Sequence, residues 1–252
     1  MSQTLSRGLE VLVALGREPR TIGSVAEQLG VHHSTALRLL HTLEAESFVI
    51  RRDGRYMLGP RVAWLGQMVL EQIDLRTMAR PHISALSDEV GETVHLATLM
   101  DSDVVYVDKV ESSHPVRMYS QVGKTAPLHC TGVAKAIAAN NPSVARMMEL
   151  LPQPYERFTS HTRITFAEVE KDLAEGRERG FVLDDREHED SIHCIATAIY
   201  SADGSAASAI SVTVPVHRCD REQLLSYAPQ LMATAAAISA ELGHLSPSEV
   251  DS

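Results

Sequence analysis

The stretch His33-Ser34-Thr35-Ala36-Leu37-Arg38-Leu39-Leu40-His41-Thr42-Leu43-Glu44-Ala45, followed after Glu46-Ser47 by Phe48-Val49-Ile50-Arg51-Arg52-Asp53-Gly54-Arg55-Tyr56-Met57-Leu58, decides the front of the chain. Up to Ala45, the residues Ala36, Leu37, Leu40 and Leu43 recur at helical spacing and predict a helix capped by His33 or Ser34. Burying Leu37 and Leu40 turns Ser34, Thr35, Arg38, His41 and Thr42 to the opposite side, because residues three and four apart share a face. From Phe48 onward, a pair of β-type runs flanks Asp53-Gly54, the dipeptide that most strongly signals a tight hairpin, and Arg51, Arg52 and Arg55 cluster around that turn. Upstream, Leu5, Leu9, Leu12 and Leu15 predict a first helix over Thr4 to Leu15 with the leucines facing a core. Thr21 then caps a short second helix carrying Ile22, Val25, Ala26 and Leu29, which Gly30 stops. Three short helices with a polar face on the third, then an arginine-tipped hairpin, spell a winged helix-turn-helix over residues 1–60. The polar face suits hydrogen bonding to bases or phosphates of double-stranded DNA, with Arg38 on guanine or on phosphate. The hairpin tip suits phosphate or minor-groove contact.

Composition agrees with a soluble globular chain: 252 residues, 44% apolar and 22% charged. No run is long and apolar enough for a membrane span and no secretion signal opens the chain, so a cytoplasmic protein is expected. The net charge of −10 opposes a nucleic-acid partner only on average. Residues 1–61 hold eight Lys+Arg against six Asp+Glu, which leaves fifteen against twenty-seven for the remainder. A slightly basic head thus stands on an acidic body.

After Pro60, Val62, Leu65, Met68, Val69 and Ile73 continue a helical pattern, read as a linker helix over 61–75. A helix over about Asp74 to Val90 follows, with Pro81 marking a kink or a break. Strands are expected at Thr93–Met100, Val104–Val110 and Pro115–Val122, then helices at Thr131–Ala139, Ser143–Leu151 and Phe166–Arg179. Strands return at Phe181–Asp184, Cys194–Tyr200 and Ala207–Val214, and a single helix over about Arg221 to Leu242 closes the chain. The whole reads as α/β (α+β): a winged helix-turn-helix, a linker helix, and at 76–245 a GAF-like domain whose mostly antiparallel sheet is flanked by helices, ahead of a disordered tail at 246–252.

Longer motifs carry a family resemblance. Ser6-Arg7-Gly8-Leu9-Glu10, the third-helix stretch, Gly54-Arg55-Tyr56-Met57-Leu58-Gly59-Pro60, Gly91-Glu92-Thr93-Val94-His95-Leu96 and Ala126-Pro127-Leu128-His129-Cys130-Thr131 occur in order. The most specific is Gly180-Phe181-Val182-Leu183-Asp184-Asp185-Arg186-Glu187-His188-Glu189, followed by His193-Cys194-Ile195-Ala196. Over nearly its whole length the chain resembles IclR-family transcriptional regulators. The resemblance implies dimers or tetramers on palindromic operators and a small-molecule effector, a small carboxylate or an aromatic compound, in the C-terminal domain. It also implies a pocket lined by Met118, Leu128, Gly132, Val133, Asp184, Ile192, Cys194, Ala196, Ser211 and Thr213, and no cofactor. Helix-start amides near Thr131, Gly132 and Val133 suit a carboxylate, and Ser211 and Thr213 share one face of their strand. Ser47 departs from the family pattern where a glycine often ends the recognition helix, Ala134 and Val214 also replace common glycines, and Ser201 stands where Asp or Asn is preferred.

Rival readings rest on other residues. His129-Cys130 and His193-Cys194 raise a thiol nucleophile or a metal site, but successive strand side chains point to opposite faces and no C-x-x-C pair is present. Asp184, Asp185, Glu187 and His188 resemble a general acid/base set, although an acidic loop is more often a solvated turn. Oxidation of Cys194 would make the chain a redox sensor.

Overall fold

The computed structural model describes residues 3–72, 74–112, 114 and 121–245. They form two compact units that divide between residues 73 and 74.

The first unit packs α1 (Gln3–Arg17), α2 (Ile22–Gln28) and α3 (His33–Ala45) with a hairpin of β1 (Val49–Arg52) and β2 (Arg55–Leu58), and ends in α4 (Pro60–Gln72). Its core joins Val11, Leu15, Val25, Ala36, Leu40, Val49 and Tyr56. The face of α1 differs from expectation. Val11, Ala14 and Leu15 are buried, whereas Leu5 and Leu9 are 65% and 55% exposed. Both stripes satisfy a 3.6-residue period, and the core selects the one whose small Ala14 allows close approach. On α3 the buried stripe is Ala36, Leu39 and Leu40, with Leu37 only half-buried. Its cap is His32, one residue ahead of the expected pair, with Nδ1 accepting from the Ser34 N–H at 3.4 Å. The end of α3 is a Schellman motif: Phe48 N–H reaches Leu43 O and Ser47 N–H reaches Glu44 O, both at 2.9 Å. This places Ser47 in the left-handed region, φ 61°, where glycine is the unstrained choice.

The second unit is a six-stranded antiparallel sheet in the order β5-β4-β3-β8-β7-β6. Its strands are β3 (Thr93–Met100), β4 (Asp103–Val110), β5 (Thr125–Ala126), β6 (Val182–Asp185), β7 (Ile192–Tyr200) and β8 (Ala206–Pro215). Alternation sorts their side chains. Leu96, Ile195, Ile210 and Val212 point to one face, with Ile83 of α5 (Leu75–Val90) and Leu231 and Ile238 of α10 (Ala228–Glu241). Ala97, Ala196 and Ala209 point to the other, with Ile137 of α6 (Gly132–Asn140), Met148 of α7 (Pro142–Leu150) and Leu173 of α8 (Phe166–Arg179). The capping box expected at Thr165 and Glu168 starts α8.

Three expectations are adjusted. Helix α5 runs unbroken through Pro81. The C-terminal helix is two, α9 (Arg221–Ser226) and α10, because Pro229 in the first turn of α10 cannot donate back into α9. The strand expected at Pro115–Val122 falls mostly outside the described residues, and β5 follows at Thr125. Among the described residues no helix is long and apolar enough to cross a membrane.

Replacing Ser47 with glycine relieves the left-handed strain. Denaturant unfolding of Ser47→Gly is expected to show the first unit more stable by about 1 kcal/mol, and a lowered midpoint would contradict the cap assignment.

Candidate nucleic-acid interface and ligand cavity

On α3, Ser34, Arg38, His41 and Thr42 are exposed and Thr35 is half-buried, so the leucines turn the whole predicted set away from the core. Some of these side chains are locally engaged. Ser34 Oγ lies 2.9 Å from His32 Nδ1, and the Thr42 hydroxyl donates to Arg38 O at 3.0 Å. Asp53 and Gly54 both take positive φ, 48° and 76°, as a type I′ turn requires. That turn sets Arg52 opposite Arg55 and Arg51 opposite Tyr56, with the Arg51 guanidinium 5.5 Å from the tyrosine ring centroid. Arg55 donates to Pro19 O at 3.3 Å, which ties the hairpin to the loop after α1. Among the described residues, Arg38, Arg51, Arg52 and Arg55 have no acidic partner, so their charge is available to an external polyanion.

The second unit encloses a cavity of about 320 Å³ between the sheet and the start of α6. Register builds its floor. Asp184, Cys194 and Thr213 lie side by side across β6, β7 and β8, and Ser211 and His95 form the next row across β8 and β3. Of the predicted lining, Gly132, Val133, Asp184, Ile192, Cys194, Ser211 and Thr213 face the cavity. Ala196 and Leu128 pack instead into the neighbouring core, and Met118 lies outside the described residues. The reading from sequence missed His95, Tyr106, Lys124, His188 and Glu189 as lining, and Thr131, named there for the helix start, lines the cavity as well. Alternation along β3 could have found His95, two residues from Ala97 on the same face. Tyr106 was hidden by a bulge, since β4 carries the extra residue Val107 between the partners of Leu96 and Ala97.

Helix α6 enters the cavity wall closely. A Cβ on Gly132 would stand 2.5 Å from Cys194 Sγ, so glycine lets the helix start lie against β7. Thr131 leaves the first turn uncapped, because its hydroxyl donates to Pro127 O at 2.8 Å. One turn on, Lys135 is fully buried, with Nζ 2.6 Å from Glu187 Oε1 and 3.2 Å from Asp172 Oδ2. Arg163 meets Asp172 from outside at 3.3 Å. Glu187 N–H donates to Asp184 Oδ1 at 2.8 Å, so the loop after β6 is tied to the cavity wall. The solvated acidic turn expected here is corrected by this burial: Asp184 and Glu187 are 6% and 3% exposed.

Burial, then the nearby Glu187 carboxylate, raise the Asp184 carboxyl to about 7, against the pull of Lys135. Burial chiefly pushes the Cys130 and Cys194 thiols up and away from the thiolate that metal binding and thiol chemistry need. Among the described residues no group of three or more His, Cys, Asp and Glu is placed to hold a metal ion.

A carboxyl whose folded pKa is raised takes up protons on folding. The stability Asp184 adds is therefore complete below about pH 4 and is lost as pH rises through about 7. Between pH 6 and 8 the second unit is expected to lose about 1 kcal/mol in urea unfolding, and Asp184→Asn to flatten that decline. An equal decline in the variant would place the titration elsewhere.

The family model described as the IclR helix-turn-helix domain matches residues 4–53, and the one described as the bacterial transcriptional regulator IclR C-terminal matches residues 67–240. The chain is 28% identical over 246 residues to the HTH-type transcriptional regulator XynR of Escherichia coli K12, covering 96% of this chain and 98% of that protein. It is 30% identical over 246 residues to the HTH-type transcriptional repressor AllR of the same strain, covering 96% and 91%. In fold it is similar to the crystal structure of an IclR transcriptional regulator from Silicibacter sp. TM1040, with a TM-score of 0.83, 24% identity and 98% of each chain covered. A helix-turn-helix unit followed by a sheet-and-helix sensory unit, matched by both family models, makes this chain a member of the IclR family of DNA-binding transcriptional regulators with a C-terminal effector-binding domain.

Proposed function

We propose that Ser34, Thr35, Arg38, His41 and Thr42 enter the major groove of a promoter operator and that Arg51, Arg52 and Arg55 hold its phosphates or minor groove. The observation that carries this is the set of arginines without acidic partners, on the outward face of α3 and at the hairpin tip. Two copies of the chain, as a homodimer or a dimer of dimers in the cytoplasm, then read a palindrome whose half-sites are spaced by the helical repeat. Arg38 is a bidentate reader of guanine or a clamp on phosphate.

The effector is a small organic acid in the cavity of the second unit. Its carboxylate rests at the start of α6, beside Gly132 and Val133, where no side chain caps the helix and the helix dipole favours negative charge. Ser211 and Thr213 meet it from β8 and Ile192 supplies an apolar wall. Ligand binding shifts the population of C-terminal packing arrangements, and with it the separation of the two recognition helices. The protein acts by binding, without catalysis.

Arg38→Ala is expected to weaken operator binding by about tenfold or more while leaving the circular dichroism of the folded chain unaltered. A gel-shift titration showing wild-type affinity would remove α3 as the reading element.

A further inference from the structure

The corner of the cavity formed by β4 and the turn before β5 has its own chemistry. Tyr106 N–H donates to Lys124 O at 3.0 Å, and both side chains line the cavity there. The bulge at Val107 sends the phenol to the α6 side of the sheet. His95 on β3 is a positioning residue for that phenol: the rings lie 5.3 Å apart at 55°, and His95 Nδ1 lies 3.2 Å from Thr213 Oγ1. Burial, then the nearby Lys109 ammonium, hold the imidazole neutral, pushed down to about 3, and Lys124 is the cationic side chain that lines the cavity here. Among the described residues neither the Tyr106 hydroxyl nor the Lys124 ammonium has a partner. Two hydrogen-bond donors, one of them charged, therefore line one end of the cavity, with Lys124 at its exposed rim.

The other end is the α6 start, seated against Cys194 of β7 and Asp184 of β6. Strands β3 and β8 lie between β4 and β7, and three strand steps span about 14 Å. Allowing about 3 Å for a hydrogen bond at each end leaves about 8 Å for the ligand. That length fits a single ring with para substituents or a chain of about six carbons. Glu189 also lines the cavity, and Asp184 sits at the α6 end of it, with its Cβ 3.9 Å from where a Gly132 Cβ would stand.

We infer that the cavity is two-ended and takes a compact dicarboxylate, one carboxylate at the start of α6 and the second on Tyr106 and Lys124. This rests on the reading of the cavity as the effector site. The test is calorimetric titration of the full chain with matched probes, terephthalate against benzoate and adipate against hexanoate, in the wild type, Tyr106→Phe and Lys124→Gln. At least one dicarboxylate is expected to bind about tenfold or more tightly than its monocarboxylate. That advantage shrinks to about threefold or less in each variant, because dicarboxylate affinity falls by more than monocarboxylate affinity. Monocarboxylates that bind with dicarboxylates gaining nothing, or an advantage that survives both substitutions, overturn the two-ended ligand and leave the effector cavity standing. Absence of binding by all four acids overturns both.

Discussion

The Lys135 ammonium is fully buried one turn into α6, and much of the sensory unit is arranged around that fact. A cation out of water is tolerated only with close counter-charges, and Glu187 and Asp172 supply them from the loop after β6 and from α8. The pair holds the loop in place, and the Glu187 amide in turn holds Asp184 at the cavity wall. The ion pair thus links α6 to α8 and to the loop after β6, while the close approach of Gly132 to β7 brings the helix start to the cavity. The cost of burying the Lys135 and Glu187 charges is consistent with a site in which position matters more than net stability.

The sheet divides the unit into two chemically different halves. The face toward α5 and α10 is packed with Leu, Ile and Val, while the face toward α6 and α8 is lined by Ala, Ser, Thr and Cys where it leaves room. Small side chains on β7 and β8 hold the cavity open, and the larger Tyr106 and His95 close it at the β4 side. A single strand such as β8 serves both halves, with Ile210, Val212 and Val214 in the core and Ser211 and Thr213 at the cavity. The pattern places the cavity on strands whose other face is packed in the core.

Local chemistry made the DNA-reading head legible: the Asp53-Gly54 turn, the leucine spacing of α3 and the stop at Gly30 act within a few residues. The buried face of α1 was not legible, because Leu5 and Leu9 obey the same helical period as Val11 and Ala14, and only the tertiary core chooses. In the second unit alternation exposed the strands and the serine–threonine face of β8. It concealed Tyr106, whose orientation depends on a one-residue bulge, and it concealed the burial of Lys135, whose partner Glu187 lies far along the chain. The break at Tyr227 between α9 and α10 has a visible cause in Pro229, which the apolar periodicity of the region outweighed.

The Lys135–Glu187 pair is tested most directly by equilibrium unfolding of Lys135→Met beside the double variant Lys135→Met/Glu187→Leu. Removing the cation alone strands a buried carboxylate and is predicted to cost the second unit about 3 kcal/mol or more, while removing both groups recovers most of that loss. A single variant within about 1 kcal/mol of the parent chain, or a double variant no better than the single, would contradict the claim that this buried charge organises the sensory unit.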